Sequence, residues 1–247
     1  MTNHLFMHWN NRNYSYAPPQ TIEGMVSIII PTYNREAFLL DRLTEIEKST
    51  YQNFEIIVVN DGGDSLSGKL PSNVKLIELE QNSQSVSIPR NIGISYARGE
   101  FICPADDDVR FLPEKLELLV NNIEDGYLCY GNRSEIYLDN NQSIQRQLIV
   151  NWNPLLGAGI DNGQYIYRKS VYEKIPYVIS THACDYHLAK EIFKYWGRFK
   201  WIHNTVSEYI WHKNNRTYSE TRKHVPLDIA AFKSYFNVHN EFLIVRE

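Results

Sequence analysis

Three adjacent carboxylates, Asp106, Asp107 and Asp108, are the residues of this 247-residue chain whose spacing most directly suggests chemistry. Like charges side by side repel, and a cation or water relieves the repulsion. Hard divalent cations take oxygen ligands, and Mg2+ or Mn2+ commonly bridges carboxylates to phosphates. The competing reading is a solvated acidic loop before the helix that opens near Pro113, favoured by the helix dipole. Position tips the balance toward metal, because the triplet follows a short buried-strand pattern at Glu100–Cys103. Two other polar clusters follow apolar runs in the same way. Pro31-Thr32-Tyr33-Asn34 follows VSIII (26–30), and Asn60-Asp61-Gly62-Gly63 closes FEIIVVN (54–60). In an open α/β sheet, ligands bind beyond the carboxyl ends of the strands, so these three clusters should meet along one edge. Neither a G-x-G-x-x-G nor a G-x-x-x-x-G-K-[ST] signature follows the first strand, which removes a dinucleotide fingerprint and a P-loop.

The elements that must carry these clusters are legible in the first half. The β-branched run at 26–30 predicts a buried strand ended by Pro31. Phe38, Leu39, Leu43 and Ile46 form a helical stripe. Strands follow at 54–60 and Val74–Leu79. A helix then starts near Ser87-Ile88-Pro89, where proline is tolerated in the first turn, and runs to Arg98. After the strand at Glu100–Cys103, Leu112-Pro113-Glu114-Lys115 opens a further helix with Leu116, Leu119 and Val120 as its stripe. This alternation predicts an α/β fold with a mainly parallel, twisted sheet flanked by helices. The second half is less regular. Extended pieces are expected at Tyr127–Tyr130, Glu135–Leu138, Gln145–Val150, Gln164–Tyr167, Phe199–Ile202 and Val206–Trp211, with a turn at Asp139-Asn140-Asn141. Lys169–Lys174 and Asp185–Trp196 read as helices.

Composition narrows the class. Hydrophobic residues make up 43% and charged residues 22%, which excludes wholesale disorder. The 25 Lys and Arg against 29 Asp and Glu give a net charge of -4, not the basic footprint of a duplex nucleic-acid binder. Cys103, Cys129 and Cys184 are odd in number and widely spaced, so neither a disulfide framework nor a zinc ribbon is expected. No apolar run reaches the roughly 18 residues of a membrane span, and a cytoplasmic location is the expectation. Residues 1–24 read as a polar tail, 25–223 as one domain and 224–247 as an amphipathic helix. That helix is expected to pack on its own domain, with membrane-peripheral contact or dimerisation as alternatives.

VSIIIPTYN (26–34), FEIIVVNDGG (54–63), PRNIGISYARGEFI (89–102) and ADDDVRFLPEKL (105–116) together resemble family 2 glycosyltransferases of the GT-A fold, in that family's order and spacing. The resemblance implies a nucleotide-sugar-binding half at 25–125 and an acceptor-binding half at 126–223. It implies nucleotide-binding roles for Pro31, Thr32, Tyr33, Asp61, Arg90, Asp106 and Asp107. Thr32 and Tyr33 would flank the base and Asp61 would take a ring N–H of it, usually uracil. Asp106, Asp107 and Asp108 match the family's D-x-D element. Asp108 is the expected metal ligand with Asp106 next, and His212, in EYIWHKNNRTYS (208–219), approaches the same Mn2+ or Mg2+. Lys213 and Arg216 would neutralise phosphate. The family's Glu-Asp pair, which supplies the base, reads here as Cys184-Asp185 in THACDYHLAKE (181–191), so Asp185 is the expected catalytic base. Cys184 is expected to be a packing residue, with a nucleophilic thiol near His182 and His187 as a minor alternative. Gly157-Ala158-Gly159 and Trp152 would shape the sugar side.

The implied activity is metal-dependent, inverting transfer of a sugar from a nucleotide sugar, foremost a UDP-sugar, to a hydroxyl acceptor on a growing glycan or glycoconjugate. Three other readings stand beside it: a retaining transferase on the same fold, a non-catalytic sugar-nucleotide-binding module, and a nucleotidyltransferase using the same metal chemistry.

Overall fold

The apolar strands carry side chains to both faces, and both faces are covered. In the computed structural model, which describes residues 4–7, 19–124, 127–139, 142–148, 160–172, 185, 188–189, 192–194 and 199–211, ten strands form one sheet. Along it run β1 (His4–Met7), β4 (Val74–Leu79), β3 (Phe54–Asn60), β2 (Ile22–Thr32), β5 (Gly99–Pro104), β9 (Tyr165–Arg168), β7 (Leu128–Asp139), β10 (Lys200–Trp211) and β6 (Val109–Phe111), with β8 (Gln142–Leu148) paired to β7. Pairing is parallel from β1 to β5. It is antiparallel at β5–β9, β9–β7, β7–β8 and β10–β6, and parallel again at β7–β10. The sheet is therefore mixed, and its parallel part is the half whose strand–helix alternation the sequence displays.

The period of two sorts the strand residues between two cores. Ile28, Ile30, Ile56 and Val58 pack with Leu39, Leu43 and Ile46 of α1 (Glu36–Ile46) and with Leu116 and Leu119 of α3 (Lys115–Ile123). Ile29, Ile57, Val59 and Ile102 pack with Ile88 and Ile92 of α2 (Ser87–Ser95). Helix α2 lies so close that a Cβ on Gly93 would stand 2.6 Å from Cγ2 of Ile29. The second core extends to Tyr165, Tyr167, Leu188, Ala189 and Ile192, so both halves of the chain share it. A short helix, α4 (Lys169–Tyr172), follows β9.

Several boundaries differ from expectation for physical reasons. Pro31 does not end the first strand, which continues to Thr32. The β5 side of the ladder stops at Ile29, so a residue without an N–H is tolerated just beyond it. The pieces expected at 127–130 and 135–138 are one strand, as are those at 199–202 and 206–211. Gly131 and Asn132 look like a break in sequence. They mark a close approach instead: a Cβ on Gly131 would meet Val206, and the buried Asn132 donates to the His203 carbonyl at 2.7 Å while accepting from Trp201 Nε1 at 3.0 Å. Helix α2 ends at Ser95 rather than Arg98. Within the expected tail, His4–Met7 pairs with β4. Among the described residues no helix is long and apolar enough to cross a membrane.

Candidate active site

The polar ends of β2, β3 and β5 meet at the carboxyl edge. Asp61 directly follows β3 and is buried. Its Oδ1 accepts from the Ser83 backbone N–H (2.9 Å), and its Oδ2 accepts from the Ser83 hydroxyl (2.9 Å) and from Asn82 Nδ2 (3.3 Å). Gly62, at φ 74°, turns the chain where a side chain would collide with the backbone of Gln81 and Asn82. Asn60 Oδ1 accepts from Gly63 N–H at 3.1 Å, and Asn34 Oδ1 accepts from Asp64 N–H at 2.8 Å. The buried Glu78 accepts from Asn60 Nδ2, Ser65 and Leu66 N–H. The Asp61 loop is thus held from the β2 side by Asn34 and from the β4 side by Glu78 and Ser83.

The triplet is splayed. Asp106 pairs with Arg90 of α2, whose side chain is only 3% exposed. Asp107 turns the other way and is almost wholly buried, accepting from Thr32 Oγ1 at 2.8 Å. Arg35 Nη1 lies 3.0 Å from Asp107 Oδ1 and 3.0 Å from Asp108 Oδ2, so one nitrogen bridges two carboxylates. Burial pushes the Asp107 carboxyl up to about 6, against the pull of Arg35; the neighbouring Asp108 adds to the rise. Burial alone would lower the Arg35 guanidinium, but Asp107 and Asp108 raise it above its ordinary value. The shared guanidinium does not fully offset the cost of burying Asp107. Tyr33, 47% exposed, stands at the end of β2 beside Thr32.

Strand β6 leads from the triplet to β10, with Val109 opposite Tyr209 and Arg110 opposite Glu208. Arg110 donates to Glu208 at 3.0 Å and to Glu45 of α1 at 3.3 Å, joining the two halves just past the triplet. Beside Tyr209, Arg133 pairs with Asp161 and with Glu135 (2.8 Å), and Asp161 caps the short 3-10 turn Asn162–Gln164.

These sequence segments and this edge coincide with a described family. The profile of Glycosyl transferase family 2 matches residues 27–204. The chain belongs to glycosyltransferase family 2. Over 185 residues it is 31% identical to the UDP-Glc:alpha-D-GlcNAc-diphosphoundecaprenol beta-1,3-glucosyltransferase WfgD of Escherichia coli, covering 69% of this chain and 70% of that one. Over 105 residues it is 40% identical to the uncharacterized glycosyltransferase YwdF of Bacillus subtilis, covering 40% of this chain and 38% of YwdF. It thus spans well under half the length of YwdF, and likewise 38% of glycosyltransferase GlyG of Streptococcus pneumoniae. The fold is that of S. aureus TarS 1-349 in complex with UDP-GlcNAc, with a TM-score of 0.65 at 18% identity over 87% of this chain and 64% of that one.

For a family 2 glycosyltransferase, the donor set at this edge is informative. Among the described residues no three His, Cys, Asp or Glu side chains gather as a protein-built metal cage. Mg2+ or Mn2+ held against a diphosphate takes one or two carboxylates and fills its remaining positions with phosphate oxygens and water. Asp106 and Asp108, paired with Arg90 and Arg35 and with side chains 28% and 12% exposed at the edge, are the carboxylates of the triplet that could serve that mode. His212 lies outside the described residues, as do Lys213, Arg216, Trp152, Gly157-Ala158-Gly159, Cys184 and the stretch 224–247. Asp185 is helical and half-buried, on a stretch whose Leu188, Ala189 and Ile192 join the core under β9. The structure thus brings together Thr32, Arg90, Asp106, Asp107 and Asp108, with Asp61 anchored at the neighbouring strand end. Arg35, Asn82 and Ser83 are the participants that sequence reading misses. Arg35 reads there only as the start of α1, and its position directly after PTYN is the one signal available.

Proposed function

We propose that this chain transfers a sugar from a nucleotide sugar, a UDP-sugar first, to a hydroxyl of a growing glycan or glycoconjugate. The observation that carries the reading is the convergence of Thr32, Arg90 and the Asp triplet at the carboxyl edge, one strand from Asp61. WfgD, named for a UDP-glucose donor and a lipid-diphosphate-linked sugar acceptor, and TarS in complex with UDP-GlcNAc support the donor class.

In this reading Asp61, oriented by Ser83 and Asn82, accepts an N–H of the base, and the exposed ring of Tyr33 lies along it. Arg90 and the Pro31–Thr32 strand end fix the triplet beside the diphosphate. Asp106 and Asp108 would hold a divalent cation, Mn2+ or Mg2+, which when bound supplies Lewis-acid stabilisation of the departing diphosphate. Asp185 takes the proton of the incoming hydroxyl, opposite the leaving group, in a single inverting displacement.

A thermal-shift panel of nucleotide sugars with Mn2+, followed by transfer assays with the stabilising donor, tests the reading. UDP-sugars should raise Tm, and Asp185→Asn should lower turnover about 10²- to 10⁴-fold with donor binding retained. Donor binding with turnover indifferent to Asp185→Asn would instead mark a binding module, the reading that the Cys184 replacement favours. A product with the donor's anomeric configuration would replace inversion by retention.

A further inference from the structure

Arg35 does something no ordinary helix-opening residue does. It precedes α1, where its own side chain makes no capping bond. Asn34, at φ 52°, turns the chain between β2 and that helix. The Arg35 side chain reaches over to a loop more than seventy residues further along the chain. There a single nitrogen, Nη1, stands 3.0 Å from Asp107 Oδ1 and 3.0 Å from Asp108 Oδ2, in the bridging position that a cation between two carboxylates takes. The other oxygen of Asp107 is held by Thr32 at the end of β2. Asp106 pairs with a different guanidinium, that of Arg90.

We infer that Arg35 is a positioning residue of the donor edge, a built-in counter-cation that keeps Asp107 and Asp108 together before any donor or metal arrives. It acts through those two carboxylates. It holds those two carboxylates from the start of α1, while Arg90 holds Asp106 from α2. This rests on the proposed function only for the identity of that donor; the counter-cation role concerns the unliganded chain.

The distinction from a plain ion pair is measurable. Without Arg35, two neighbouring carboxylates lose their shared cation, and a divalent metal takes its place. Arg35→Ala should therefore lower Tm by about 5 °C, and Mn2+ alone at about 1 mM should restore at least half of the loss, while Mn2+ alone shifts the parent protein by no more than about 1 °C. Arg35→Lys keeps the charge as a point rather than a planar fork, so it should show a smaller loss and a smaller Mn2+ response. It also provides the readout if Arg35→Ala does not fold. In transfer assays the Mn2+ concentration for half-maximal rate should change in Arg35→Ala, while the parent value persists in Arg98→Ala, a surface ion-pair variant. A Tm loss in Arg35→Ala and Arg35→Lys that Mn2+ does not restore would reduce Arg35 to a structural ion pair and overturn the inference. So would an unchanged Tm with only the donor KM raised, since Arg35 would then contact the donor directly. If UDP fails to shift the parent protein but Mn2+ rescues Arg35→Ala, the donor reading falls and the counter-cation role stands.

Discussion

The two edges of the sheet are both charged, but they use charge differently. At the amino edge acids and bases pair one to one near the surface. Arg98 meets Glu55 at 3.0 Å and Lys200 meets Glu124 at 3.1 Å, with the cationic side chains 53% and 42% exposed. Such pairs contribute about 0–1 kcal/mol each. At the carboxyl edge Arg90 pairs with Asp106 and Arg35 bridges Asp107 and Asp108, and Asp107 is buried deeply enough that its carboxyl is pushed up to about 6. Asp107 is the buried one of the three, while the Asp106 and Asp108 side chains are 28% and 12% exposed. A carboxyl raised by burial costs stability, which the solvated pairs of the amino edge do not.

This contrast can be broken experimentally. The largest effect is expected for Asp106→Asn, which should lower turnover about 10²-fold or more and move Tm by only a few degrees, as read by steady-state kinetics beside a melting curve. An equal loss of stability and activity would place Asp106 in the scaffold. Next, Asp61→Ala should weaken UDP binding about 10- to 100-fold by titration calorimetry, because a charged acceptor for the base is lost. Undiminished UDP affinity would remove Asp61 from the base site. Asp107→Asn separates the edges most sharply. It keeps a group able to accept from Thr32 and removes a buried charge, so Tm should hold or rise while the donor KM increases several-fold. A marked fall in Tm would show the carboxylate to be a stabilising one. The smallest effect is expected for Arg98→Ala at the amino edge, within about 1 kcal/mol by chemical denaturation and without kinetic consequence. A larger cost would mean that the two edges are not so different.

The parallel half was readable because each of its signals is local. VSIII and FEIIVVN are buried on both faces, so they appear as continuous apolar runs, and the polar groups after them necessarily fall at the same edge. The second half resisted reading because its strands cross between environments. Strand β7 carries a glycine and a buried asparagine in mid-strand where it approaches β10, and the β7–β10 ladder shifts register on either side of Thr205. Neither feature follows from a periodic pattern. The site divides in the same way. Asp61, Arg90 and the triplet lie in contiguous motifs, and the family followed from them. Asn82 and Ser83 became visible only once β4 was seen to return its end beside Asp61.

The sequence by itself determined the alternating first half, its two-faced burial, the family and the identity of the acidic edge, because these depend on neighbours along the chain. Tertiary structure decided how the three aspartates divide. From sequence they are three adjacent carboxylates, ranked only by the family resemblance. In the fold Arg90 on α2 takes Asp106, whereas Thr32 at the end of β2 and Arg35 just before α1 take Asp107 and Asp108. The hold on Asp107 and Asp108 comes from elements more than seventy residues away in the chain, and only their packing against one sheet brings them within hydrogen-bonding reach.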